Sequence, residues 1–111
     1  MIKIKIGKKE IEADVADSFF KRLIGLSLSK KKNLLFIMPY ESKWSFWMFL
    51  VRYPLNIIFI DAKKRIVDIK KAMPITLNPK TWRVYSPSKR CKYVLETPFN
   101  LKIKVGDKLK W

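Results

Sequence analysis

Histidine and glutamine are absent from this chain, cysteine occurs once, and glycine occurs only three times. Each scarcity removes a class of chemistry. Without histidine the usual nitrogen and sulfur ligand sets for zinc, copper and haem are missing, as is the commonest general base near neutral pH. Any acid–base chemistry would fall to carboxylates, Lys, Tyr or Cys91. The lone Cys91 cannot close an internal disulfide. Its neighbours Arg90 and Lys92 favour the thiolate, yet it has no second thiol or imidazole for redox or nucleophilic work. No run of about eighteen uncharged apolar residues exists, and the N-terminus alternates Ile with Lys, so neither a membrane span nor a secretory signal is expected. A cytoplasmic protein without metal or cofactor is the expectation.

What is present bounds the fold. A chain of 111 residues, 49% hydrophobic and 14% aromatic, suits one compact domain over residues 1–111. Twenty-five Lys and Arg against nine Asp and Glu give a formal charge of +16. In so small a body that charge sets up a positive field attracting nucleic acid, anionic membrane surfaces or acidic proteins. It is equally the composition of a chain that uses lysine for solubility and heat tolerance.

Along the chain, Ile2, Ile4 and Ile6 alternate with lysines, Gly7-Lys8-Lys9 makes a turn, and Ile11, Ala13 and Val15 alternate with acids. Period-two alternation of this kind predicts a hairpin with the lysines of one strand facing the acids of the other. Asp17 or Ser18 caps a short helix through Phe19 and Leu23, stopped at Gly25. Leu34 to Met38 reads as a buried strand ended by Pro39. Phe46 to Val51 and Asn56 to Ile60 are nearly all apolar, which predicts burial on both faces. Asp61 to Lys64 is a tight hairpin connection into the strand at Arg65 to Lys70. Further strands are expected near Trp82 to Tyr85, Lys92 to Glu96, Leu101 to Val105 and Lys108 to Trp111. The fold class is therefore mainly β, a single-domain sandwich or distorted barrel with one short N-terminal helix.

The order Arg22-Leu23-Ile24-Gly25-Leu26, Leu35-Phe36, Phe46-Trp47-Met48, Pro54-Leu55, Phe59-Ile60-Asp61, Tyr85-Ser86, Tyr93-Val94-Leu95-Glu96 and Val105-Gly106-Asp107 resembles the prokaryotic domain-of-unknown-function family 192. The resemblance runs from about Phe19 to the C-terminus and implies a compact β-rich fold with a short N-terminal helix, while leaving the biochemistry open. This chain departs from the pattern where Phe49-Leu50-Val51 stands for a polar Lys-Asn-Thr, Asn56 for Asp, and Asn100 for Gly. Asparagine tolerates the left-handed backbone that glycine would supply.

Two sets of candidate site residues follow. Arg22, Asp61 and Glu96, with Trp47 and Tyr85, would line a small polar cleft in which Arg22 grips an anionic group and the carboxylates orient water, as in a small-molecule-binding or weakly hydrolytic pocket. The structural alternative is an internal ion pair between Arg22 and one carboxylate. Lys30, Lys31, Lys32, Lys63, Lys64, Arg65, Trp82, Arg83, Lys89 and Arg90 would form a surface for nucleic acid or another polyanion. Trp44, Trp82 and Tyr85 are the expected surface aromatics, whereas Phe46, Trp47 and Phe59 are expected in the core. No RNP-like signature, GXXG clamp or helix-turn-helix pattern accompanies them, so base-specific readout is not expected. The leading expectation is a small non-enzymatic basic binding domain.

Overall fold

The structure, a computed structural model, describes residues 1–18, 30–48 and 51–111. Strands β1 (Ile2–Ile6) and β2 (Lys9–Ala16) form the expected hairpin, with Ile4 opposite Ile11, Lys3 opposite Glu12 and Lys5 opposite Glu10. Gly7 takes φ +60° at the turn, a conformation that a side chain would strain. β2 then runs parallel to β3 (Leu34–Ser42), so the chain between them must cross over. The expected Phe19–Gly25 helix lies outside the described residues. Among the described residues there is no α-helix, only a 3-10 turn at Pro79–Thr81. None of their helices is long and apolar enough to cross a membrane.

β5 (Leu55–Ile60), β6 (Ile66–Ala72), β8 (Cys91–Thr97) and β9 (Leu109–Lys110) complete a seven-stranded sheet in the order β6-β5-β8-β3-β2-β1-β9. A separate two-stranded ribbon pairs β4 (Phe46–Trp47) with β7 (Val84–Tyr85). The sheet is curled into a half-barrel. On one face Ile4, Ile58, Ile66, Leu95 and Leu109 cluster together although their strands stand far apart in the sheet order, which makes this the concave face. The convex face carries Leu34, Phe36, Leu55, Ile57, Phe59 and Val94, covered by Phe46 and Tyr85 of the ribbon together with Met48, Val51 and Tyr53. Successive residues of β5 therefore feed two different cores.

Backbone bonds tie the two edge strands together at one corner. Leu109 N donates to Lys64 O at 2.8 Å, Ile66 N to Asp107 O at 2.8 Å, and Gly106 N to Ile66 O at 2.8 Å, beside an Arg65–Lys108 bridge. Gly106 sits at φ +98°, where glycine alone is unstrained.

Three expectations need correction. Pro39 does not end β3; the strand continues to Ser42 through a register shift between Ile37 and Ser42, and such an irregularity accommodates the missing N–H. Of the apolar stretch from Phe46, the described residues form only the two-residue strand Phe46–Trp47, and Trp47 is 57% exposed, because Phe46 and Tyr85 take the inward side of so narrow a ribbon. Leu101 to Val105 forms no strand: Leu101 and Ile103 pack half-buried on the concave core, and Ile103 N bonds back to Leu101 O.

Ile58→Ala and Phe59→Ala remove side chains that point to opposite faces and are both wholly buried. Each is expected to lose about 2–5 kcal/mol in urea unfolding. A strand with one wet face would register only one of the two losses.

Candidate functional site

Asp61 follows β5, and its Oδ1 accepts from Lys63 N and Arg65 N, both at 2.9 Å. These bonds hold the β5–β6 turn, in which Lys64 adopts φ 66°. Tyr85 faces the convex core, and its hydroxyl accepts from Met73 N at 3.1 Å while the Arg83 guanidinium lies 5.6 Å from its ring centroid. Trp47, opposite Val84, projects to the other side of the ribbon. Glu96 lies on β8 between Leu34 and Ile57 and is only 4% exposed. Arg22 lies outside the described residues. The structure thus unites Trp47 and Tyr85 in one ribbon, but it does not bring Asp61 to Glu96. The β5 partner of Glu96 is Ile57, four positions from Asp61 and so about 13 Å away along the strand.

Burial pushes the Glu96 carboxyl up to about 8. Tyr53, which covers this part of the convex core, is also pushed up, first by burial and then by the Glu96 charge; its hydroxyl donates to Lys30 O at 3.0 Å. Among the described residues no group of three or more His, Cys, Asp or Glu could hold a metal ion. Cys91 runs against its sequence context. Arg90 turns away to donate to Glu41 O and Lys92 to Met38 O, the thiol is fully buried, and burial pushes it up to about 11 rather than toward the thiolate.

The cationic candidates separate into two ends. Glu41 accepts from Ala62 N through Oε2 at 2.9 Å and from the Arg90 guanidinium through its carbonyl at 2.8 Å. It thereby draws the Lys63–Arg65 turn and the Lys89–Arg90 segment to one end of the molecule. Lys30 to Lys32 precede β3, at the far end of that nine-residue strand, about 27 Å away. Lys32 is paired with Asp14 at 2.9 Å, which lowers the Asp14 carboxyl, and Lys31 lies 6.0 Å from the Tyr53 ring. Lys64 is also engaged: its ammonium donates to Trp111 O at 2.8 Å and stands 4.5 Å from that indole.

Of the expected surface aromatics, Trp82 is 59% exposed, with its indole N–H given to Thr76 O at 2.7 Å. Trp44 is half-buried, donating to Tyr40 O at 2.9 Å and packing at 5.0 Å on the exposed Tyr40 ring. Tyr85 is buried and leaves the surface set. Arg83, Val84, Ser86, Lys89 and Arg90 are exposed along the single connection that leads from Trp82 into β8.

A cleft of about 140 Å³ opens at the concave side, with Asn56, Thr97 and Asn100 as its polar lining. No charged residue type marks this cleft in the sequence. Its one signal in the sequence was the pair of departures at Asn56 and Asn100, which the fold brings to the same cavity.

The buried Glu96 has a pH signature. Its folded value lies above the ordinary 4.5, so the unfolded chain ionises first and stability falls as pH rises from about 4.5 toward about 8. Glu96→Gln is expected to flatten that fall and to gain at least about 1 kcal/mol over the native chain above pH 8, followed by thermal unfolding across pH. Equal pH slopes for both proteins would contradict the burial argument.

Similarity to known proteins is consistent with this architecture. The family model described as "Uncharacterized ACR" matches residues 2–111. A UPF0127 protein of Pyrococcus abyssi is 37% identical over 111 residues, covering 94% of this chain and 89% of that protein. Against a UPF0127 protein of Thermococcus sibiricus, 37% identical and matched over 87% of this chain, the match spans 64% of the relative's length. A crystal structure of a protein of unknown function from Novosphingobium aromaticivorans superposes with TM-score 0.84 at 21% identity, over 99% of this chain and 84% of that one. A Sinorhizobium meliloti protein described as a candidate transcription regulator gives TM-score 0.82 at 20% identity, over 97% and 89%. These two show the same fold. The family match, which spans nearly the whole sequence, shows that the chain belongs to domain-of-unknown-function family 192.

Proposed function

We propose that the protein binds single-stranded nucleic acid, without base specificity, at the end of the molecule gathered around Glu41. The observation that carries this reading is the largely exposed connection from Trp82 to Arg90, whose Lys89–Arg90 end meets the Lys63–Arg65 turn at Glu41. It sets Lys89 and Arg90 beside the Lys63–Arg65 cations that Glu41 holds in place, while Arg83 and Trp82 lie further back along the same connection, toward Thr76. Exposed indoles offer flat faces on which any base stacks, and neighbouring ammonium and guanidinium groups follow the phosphates. The net charge of +16 supplies the long-range attraction. The Sinorhizobium neighbour's description as a candidate transcription regulator is compatible with such a partner. In this reading the chain is a non-enzymatic binding domain of the cytoplasm.

Because Lys32 and Lys64 already have partners, Lys63, Arg65 and Lys89 carry most of the phosphate contact. Titrating a fluorescent oligothymidylate against salt tests this. Lys63→Glu, Arg65→Glu and Lys89→Glu together are expected to weaken binding at least tenfold and to reduce the salt slope by about 2. Trp82→Ala should weaken binding about fivefold to a hundredfold with the slope unchanged. No binding at low salt, or an equal loss when Lys30 and Lys31 are reversed instead, would contradict the assignment of this end.

A further inference from the structure

We propose that the cleft on the concave side of the half-barrel binds a short aliphatic carboxylate. The sheet register builds an amphipathic site there. Asn56 on β5 lies directly opposite Lys71 on β6 and Thr97 on β8, so Lys71, Asn56 and Thr97 form a row across three strands with side chains on one face. Two residues along, Ile58 lies opposite Ile69 and Leu95, a wholly apolar row. The two rows are about 6.6 Å apart. Ile58 and Ile69 line the cavity, and Leu101 and Ile103 close it from above. A ligand that spans from one row to the other needs a polar head and an aliphatic tail.

The polar end is held in shape by the rim itself. Asn56 Nδ2 donates to Phe99 O at 3.1 Å, and Phe99 N donates to Thr97 Oγ1 at 3.1 Å. Both backbone groups of Phe99 are thereby satisfied, which fixes the turn presenting Asn100. Thr97 is fully buried, and since its oxygen already accepts, its own hydrogen is left to donate. Asn56 retains its second amide hydrogen and Asn100 brings two more. The end is thus rich in donors, with the exposed Lys71 ammonium in the same row at the rim and no acidic side chain in the lining. A carboxylate is an acceptor-only group of matching sign; an ammonium would find acceptors in the two asparagine amide oxygens but no negative charge, and would face the Lys71 ammonium. At roughly 30 Å³ per water-sized group, the cavity holds about five heavy groups, which sets the tail near four carbons.

Pentanoate is the probe, and amide chemical shifts of the labelled full chain are the readout. Shifts at Asn56, Thr97, Asn100 and Leu101 are expected to saturate together at about millimolar concentration, with 1-pentanol weaker and pentylammonium without effect. Lys71→Glu should weaken pentanoate about two- to fivefold or more while leaving pentanol unchanged. Asn100→Leu, at an exposed position that spares the core, should weaken pentanoate as well. The proposal is overturned if the shifts spread without saturation over surface lysines, or if pentylammonium binds as well as pentanoate. It is also overturned if pentanol and pentanoate bind equally and Lys71→Glu changes neither.

Discussion

Burial of β5 and β8 on both faces is the constraint from which the rest of the structure follows. Ile57, Ile58, Phe59 and Ile60 are consecutive and all fully buried, so one strand supplies neighbouring side chains to two cores. A half-buried strand would tolerate a slip in register at the cost of its polar face. Here a one-residue slip exchanges Phe59 with Ile58 between cores of different shape, so the pairing is fixed from both sides. The fixed pairing then aligns Lys71, Asn56 and Thr97 in one row and seats Glu96 opposite Ile57.

Two covers keep that central pair dry. On the convex side the β4–β7 ribbon lays Phe46 against Phe36 at 5.0 Å and Phe59 at 6.2 Å. On the concave side the sheet's own curl brings Ile4 and Leu109 over Ile58 and Ile66, and the backbone bonds between β6 and the start of β9 hold the curl at one corner. Away from that corner the curl stays open, which is where the Asn56–Thr97 cleft lies. With so much apolar area consumed inside, most of the charge lies on turns and on the outward positions of the outer strands, with Glu96 as the buried exception. The same economy leaves a surface dense in lysine, with Glu41 gathering part of it.

Much of this was legible in the residues. The β1–β2 hairpin, the β5–β6 turn and the two-sided burial of residues 56–60 follow from alternation, turn residues and unbroken apolarity. What local pattern could not show depends on distant partners. Trp47 reads as core by type, yet a two-residue ribbon has an outer side and Trp47 occupies it. Leu101 and Ile103 alternate like a strand, but they pair with none and instead pack half-buried on the concave core. Cys91 sits between two cations in sequence, both of which turn to carbonyl groups in space. The candidate residues Asp61 and Glu96 were grouped by motif; the first is occupied with a turn and the second is set deep under Tyr53. The cleft was invisible because its polar row is assembled from three strands, and only the departures at Asn56 and Asn100 marked it.

Native-state amide hydrogen exchange tests the central constraint most directly. Amides of Ile57 to Phe59 and of Val94 to Glu96 are expected to exchange slowest, at the rate of global unfolding, well behind those of the β1–β2 hairpin. If the β5 amides exchange as fast as the hairpin, or by a separate local opening, the doubly buried strand pair is not what holds the molecule together.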